Sequence, residues 1–281
     1  MSDDQPQAGE HYRLARTAEG RPLVGDEDGF VPLGAAGYDS TNAALAAATA
    51  DLPAVDDLPA TRTPADHLTF STPFDPGKLW GIGLNYADHA GDLDEERPEE
   101  PASFMKPATT VTAPGGPIRL PPTEESARVT AEAELGIVIG ETCKDVSEAD
   151  FADVVAGFVP IIDMTAEDVL QRNPRFLTRA KSYDSFLVVG PWVSAPATTD
   201  RLEEIEVRTV VNDETIAENT LDHMLFSPPE LVAFHSRVMT LEPGDVISTG
   251  TPGAGVIEHG DTVRAEVDGV GTLEADVVRE D

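Results

Sequence analysis

The stretch 128–140, RVTAEAELGIVIG, constrains the fold more than any other. Val129, Ala131, Ala133, Leu135, Ile137 and Ile139 recur at every second position, the period at which side chains of a β-strand share a face. Thr130, Glu132, Glu134, Gly136 and Val138 then share the other face. Two glutamates project side by side from a strand that runs into an apolar segment. Like charges in such a place are costly unless something positive sits between them. Two readings follow: a face that holds a cation, or a solvated face in an acid-rich chain.

The rest of the sequence reads as strand-rich. Short apolar runs at 79–84, 131–139, 158–162, 186–189, 204–211, 245–249 and 262–267 are mostly separated by turn residues. Helical patterns are few, at 147–155 and at 228–237. The second has Ser227 as cap, Pro228 next and Glu230 in the first turn, a strong helix start. Strands do not alternate regularly with helices, so the expected class is a β-rich α+β domain and not a doubly wound sheet. Upstream, 11–33 reads as two or three short strands and 40–50 as a helix with a Ser or Thr cap. Residues 51–78 read as a connector rich in Pro, Asp and Ala. The expected organisation is a small N-terminal β/α domain with its linker, 1–75, and a larger domain, 76–281.

Charge narrows the partners. There are 52 acidic residues against 19 basic ones, a formal net charge of −33. Nucleic acid and acidic membrane surfaces are excluded, because both need clustered Lys and Arg. A self-repelling surface of this kind needs counterions, and it reads as adaptation to high salt. The apolar runs are too short to span a bilayer. The start of the chain, MSDDQPQAGEHYRLA, has no secretory pattern. Cys143 is the single cysteine, which fits a reducing interior. The expectation is a soluble cytoplasmic protein. Lysine is scarce, with only Lys78, Lys106, Lys144 and Lys181, so each is a stronger candidate for a specific task.

Four further segments carry chemistry. Asp163 follows the apolar run 158–162 and precedes a polar turn, as a metal ligand or as a helix cap. Carboxylates without a Cys or His cluster favour Mg²⁺, Mn²⁺ or Ca²⁺ over Zn²⁺. The run 79–84 ends in a polar loop with Asn85, Tyr86, Asp88 and His89, and the Gly- and acid-rich stretch 91–100 suits a lid. His89 titrates near neutral pH and suits a general base. Lys181 lies in the segment 179–192. Residues 250–253, Gly-Thr-Pro-Gly, form either an ordinary tight turn or a nest of N–H groups with the Thr251 hydroxyl for a carboxylate.

From about residue 76 onward, GLNYADHA, PASFMKP, EAELGIVIG, DMTAEDV, AKSYDSF, LEPGDVISTGTP and GDTVRAEVDGVGTL stand in the order and spacing of the fumarylacetoacetate hydrolase family, which the chain resembles. The resemblance implies a mixed β-sandwich roll, usually dimeric. It implies Glu132, Glu134 and Asp163 as ligands of Mg²⁺, with Mn²⁺ as the alternative. It implies His89 as base, oriented by Asp92, and Lys181 as the cation that polarises the substrate. Substrate contacts are expected from Tyr86, Lys106, Arg175, Thr251 and Gly253. Two positions depart from the pattern: Glu167 and Leu170 stand where many members carry Arg and Gln, which argues against fumarylacetoacetate itself. Arg172, Arg175 and Arg179 are candidates to replace that Arg.

The implied activity is divalent-metal-dependent hydrolysis of a C–C bond in a small 1,3-diketo, acylpyruvate-like 2-oxo acid, through an enolate held at the cation. The same scaffold supports an isomerase or decarboxylase of 2-hydroxyhepta-2,4-diene-1,7-dioate type, or a 2-keto-3-deoxy sugar acid dehydratase. Two other classes stand beside these: a non-catalytic acidic Ca²⁺-binding module, and a zinc enzyme using His89, His223, His235 and His259.

Overall fold

The computed structural model describes residues 12–47, 52–86, 98–195 and 201–279. Two sheets dominate. The larger has 12 strands. Its main path runs β3 (Gly29–Pro32), β2 (Pro22–Asp26), β1 (Tyr12–Arg16), β11 (Trp192–Ala195), β9 (Val155–Ala166), β8 (Val129–Ile139), β14 (Val246–Ser248), β4 (Leu79–Gly83) and β5 (Ala102–Lys106). Off that path, β15 (Ala254–Ile257) pairs with β8, β10 (Leu187–Val189) with β9, and β6 (Val111–Thr112) with β10. The smaller sheet is β13 (Glu214–Thr220), β12 (Glu206–Val211), β16 (Thr262–Val267), β17 (Gly271–Arg279) and β7 (Gly115–Leu120). The class is α+β and strand-rich, as expected from the sequence.

Strand β8 is the axis of the molecule. Its period-2 pattern holds over the whole strand, and it pairs antiparallel with β9 from Val129↔Ala166 to Ile139↔Val155. Ala131, Ala133, Leu135 and Ile137 join one core cluster with Val207, Val263, Ala265 and Leu273 of the smaller sheet. The opposite face divides along its length. Val138, with Val159 and Ile161 of β9, packs against Leu14, Val24, Leu45 and Phe74 from the N-terminal segment. Further along the same face stand Glu134, Glu132 and Asp163. The N-terminal strands are continuous with this sheet, because β1 pairs with β11 from Tyr12↔Ala195 to Ala15↔Trp192.

Helices are short. The helix α1 (Thr41–Ala47) is capped by Ser40, whose Oγ accepts from the Ala43 N–H at 3.2 Å. The segment 147–155 yields a 3-10 turn and then α2 (Phe151–Val154), which stops where Val155 opens β9. The helices α3 (Glu167–Arg172) and α4 (Leu177–Lys181) follow β9. The longest, α5 (Pro228–Val238), starts with a capping box in which Glu230 accepts from the Ser227 N–H at 2.7 Å. No helix among the described residues is long and apolar enough to cross a membrane.

The junction of β9 and β11 depends on Gly157. A Cβ there would sit 2.1 Å from the Ser194 carbonyl oxygen, so any side chain must push the strands apart. Gly157→Ala is expected to lower unfolding free energy in urea by about 1–3 kcal/mol; wild-type stability would contradict the close approach.

Candidate metal centre

Glu132 and Glu134 lie two apart on β8, and Asp163 faces Glu132 across the ladder. Directly opposed residues share a face of the sheet, so the three carboxylates converge. One oxygen from each lies within 4.8 Å of the others. Glu134 is 1% exposed and Asp163 is 0% exposed, which excludes a solvated face. Asp163 lies inside β9, while the cap position of α3 belongs to Ala166, so Asp163 caps no helix.

Two buried ammonium groups meet these carboxylates. Lys181, the last residue of α4, donates to Glu132 Oε2 at 2.5 Å and to Asp163 Oδ2 at 3.2 Å. It also sits over the Phe104 ring, 5.1 Å from the centroid. Lys106, the last residue of β5, is ion-paired with Asp163 Oδ1 and donates to the Phe186 carbonyl at 2.7 Å. A short helix, α4, and an edge strand, β5, thus each end in an ammonium group aimed at the carboxylates.

Glu134 has neutral partners. Its Oε2 accepts from Ser248 Oγ at 2.5 Å and from the Gly250 N–H at 2.9 Å. Gly250 has φ of 91°, and a Cβ there would lie 3.0 Å from both the Ile82 carbonyl oxygen and Asn85 Cβ. Glycine is what lets this backbone reach the carboxylate. Glu132 Oε1 in turn accepts from Thr165 Oγ1 at 3.0 Å.

The electrostatics follow from burial and charge. Burial, reinforced by Asp163 and Glu132, pushes Glu134 up to about 8. Burial works against the charge of Lys181, but Asp163, Glu132 and Glu134 together outweigh it and hold this lysine above its ordinary range. Burial pulls Lys106 down, and Asp163 opposes that pull. Burial and its neighbours thus work against the charge of Glu134, while the two amines stand against Glu132 and Asp163. The donors fit a hard divalent cation. They are three carboxylates on two neighbouring strands, held in place by hydrogen bonds from Thr165, Ser248 and Gly250 and by the two lysines. Among the described residues they form the one group of His, Cys, Asp or Glu side chains placed to share an ion.

The remaining candidates are distributed as follows. The Thr251 hydroxyl donates to the Gly253 carbonyl at 2.9 Å and accepts from the Gly253 N–H at 3.2 Å, so it is engaged within its own turn. Tyr86 is fully buried. Arg175 lies in the exposed turn Pro174–Phe176. His89 and Asp92 fall outside the described residues. Glu167 is ion-paired with Arg128 and accepts from Gln171 Nε2 at 3.0 Å, while Leu170 packs on the main core. Arg172 is paired with Asp168 at 3.2 Å. His223 contacts Asp222, His235 contacts Ser103 and the Leu231 carbonyl, and His259 accepts from the Arg279 N–H. None of these three belongs to a shared metal set among the described residues.

Two participants escaped sequence reasoning. Thr165 lies two residues after Asp163, so alternation from Asp163 identifies it. Ser248 carries no such signal, because only the pairing of β14 with β8 brings it to Glu134. The turn at 250–253 was expected to offer N–H groups to a carboxylate, and the Gly250 N–H donates to Glu134 of the chain itself.

Known proteins similar to this chain fall in one family. The sequence profile "Fumarylacetoacetate (FAA) hydrolase C-terminal" matches residues 78–278. A homoprotocatechuate catabolism bifunctional isomerase/decarboxylase of Escherichia coli is 39% identical over 209 residues, 74% of this chain and 48% of that one. A 5-carboxymethyl-2-hydroxymuconate delta-isomerase from Mycobacterium smegmatis superposes with a TM-score of 0.75 at 34% identity, covering 96% of this chain and 99% of that one. Maleylpyruvate hydrolase from Sphingobium sp. SYK-6, solved with manganese(II) and pyruvate, gives a TM-score of 0.80 at 31% identity, covering 96% and 100%. The chain belongs to the fumarylacetoacetate hydrolase family. Its relatives of known activity include hydrolases and isomerase/decarboxylases.

The raised Glu134 carboxyl yields a pH dependence. A cation must displace its proton, so Mn²⁺ affinity measured by calorimetry is expected to climb by up to about tenfold per pH unit from 6 to 8 and to level off above that. An affinity flat across this window would contradict the proton count.

Proposed function

We propose that this protein is a divalent-cation-dependent enzyme that cleaves a C–C bond in an acylpyruvate-like 1,3-diketo acid. The observation that carries the reading is the convergence of Glu132, Glu134 and Asp163 with two buried lysines. With all three carboxylates ionised, both amines charged and a divalent cation present, the centre has one net positive charge. Such a site favours an anionic chelator over a neutral one. A 2-oxo carboxylate offers that charge with two oxygens in one plane.

When bound, a divalent cation supplies Lewis acidity that draws electron density from chelating oxygens. The protein's own groups do the rest. Lys181 lies between Glu132 and Asp163 and adds positive charge where the substrate's oxygens gather. Phe104 shields that amine on one side. His89, oriented by Asp92, takes a proton from water for attack on the distal carbonyl. Thr251, Gly253, Lys106 and Arg175 complete the proposed substrate contacts. Mg²⁺ is the proposed physiological ion, and the manganese in a related hydrolase supports a divalent cation at this position. We further propose a cytoplasmic homodimer from a salt-adapted cell; the net charge of −33 supports the last point.

A second reading is isomerisation or decarboxylation at the same centre, favoured by the E. coli relative named for those reactions. Pyruvate release from a panel of acylpyruvates, in high-salt buffer with Mg²⁺ or Mn²⁺ and with chelator, separates the two. The hydrolase reading requires cation-dependent pyruvate. Folded, cation-loaded protein that releases none would overturn it in favour of isomerisation or decarboxylation. Glu134→Gln is expected to lose turnover at least a hundredfold and to bind the cation more weakly. Retained turnover would remove Glu134 from the ligand set.

A further inference from the structure

We propose that Ser185 positions the two lysines of the carboxylate centre by bonding the turn they share to the smaller sheet. The inference rests on the 2-oxo acid reading above, in which those lysines meet a bound anion. The chain leaves the centre at Lys181 and returns to it at Leu187. Lys181 donates to Glu132 and Asp163. The Phe186 carbonyl accepts from Lys106 Nζ at 2.7 Å and from the Met164 N–H at 3.3 Å. Leu187 then pairs with Asp163. Residues 182–186 thus follow directly on one amine and place the acceptor of the other. A shift of this turn moves both.

Little supports the turn from outside. Ser182, Tyr183 and Asp184 line a surface cavity of about 390 Å³ with Arg119, Leu120 and Glu125. Ser182 Oγ and the Tyr183 hydroxyl are buried and have no hydrogen-bond partner among the described residues. Within the turn, the Phe186 N–H donates to the Tyr183 carbonyl at 3.2 Å, and the two rings lie 5.1 Å apart. The hydroxyl of the turn that does find a partner is that of Ser185, whose Oγ accepts from the Arg119 N–H at 2.7 Å. Arg119 belongs to β7, an edge strand of the smaller sheet. Ser185 is 7% exposed, so water competes little for this bond.

The backbone of Ser185 argues the same way. Its φ is 65°, in the left-handed region that glycine adopts freely and serine seldom does. Glycine would make this turn without strain, but it would take the acceptor away from the Arg119 N–H. The hydroxyl is what serine adds at a position whose backbone suits glycine. Through it, the smaller sheet holds the turn against the ladder that carries the carboxylates.

The test compares Ser185→Gly and Ser185→Thr with the wild type by calorimetry. Mn²⁺ binding is measured first, then binding of oxalate, a planar chelating dianion, to the Mn²⁺-loaded protein. Glycine relaxes the backbone and removes the hydroxyl; threonine keeps the hydroxyl and strains the backbone further. In Ser185→Gly the loosened turn lets both amines drift, and oxalate is expected to bind roughly three- to tenfold more weakly. Mn²⁺ affinity is expected to stay equal or rise, because the amines then compete less with the cation for Glu132 and Asp163. Ser185→Thr is expected to bind oxalate like the wild type in spite of a lower melting temperature. General damage to the fold would instead weaken Mn²⁺ and oxalate together, and most in Ser185→Thr; that pattern would overturn the proposal. So would unchanged oxalate affinity in Ser185→Gly. A loaded wild type that binds no oxalate would remove the 2-oxo acid reading, and this inference with it.

Discussion

Glu132 faces Asp163 in register across the β8–β9 ladder, with Glu134 two residues further along the same face. Three ionised carboxylates this close repel one another by about 3–4 kcal/mol per pair at an effective dielectric near 20. The surrounding structure is arranged around that repulsion. Lys181 lies between two of the carboxylates, Lys106 neutralises one from the far edge of the sheet, and Ser248, Gly250 and Thr165 fix outer oxygens. Burial deepens the problem, because it also raises the cost of each unpaired charge. Burial and the two neighbouring carboxylates disfavour the charge of Glu134 and raise its pKa.

The site lies where it does because one face of β8 changes character along its length. At Val138 the face is apolar and covered by the N-terminal segment. Toward Glu132 the covering layer is replaced by α4 and the turn at residues 250–253. The opposite face packs throughout on the smaller sheet, so the strand is clamped along its full length. A rigid, doubly covered strand holds its ligands better than a loop does. That rigidity suits a centre that must bind a cation and a small anion in turn.

Much of this was legible in the residues. The alternation in β8 identified which side chains share a face, and the run before Asp163 marked a strand, although that strand continues to Ala166 where a polar turn was expected. The capping residues Ser227 and Glu230 located α5 to within one residue of its end. Lys181 and Lys106 stood out because lysine is scarce. The sequence could not reveal that Lys106 reaches Asp163 across 57 residues, or that Ser248 reaches Glu134 across 114. Those contacts depend on strand order, and local periodicity carries no information about order. The two readings of Glu132 and Glu134, solvated or cation-binding, were also indistinguishable until burial was known. The same holds for the Thr251 hydroxyl, whose partner inside the turn is a matter of backbone geometry.

The central claim is that these three carboxylates hold one divalent cation. Anomalous diffraction at the manganese edge from crystals soaked in Mn²⁺ tests it most directly. The account predicts a single strong peak within bonding distance, about 2.0–2.3 Å, of oxygens from Glu132, Glu134 and Asp163, with Lys181 displaced from Glu132. A peak held by other residues, or density showing the lysine contacts intact at saturating Mn²⁺, would contradict it.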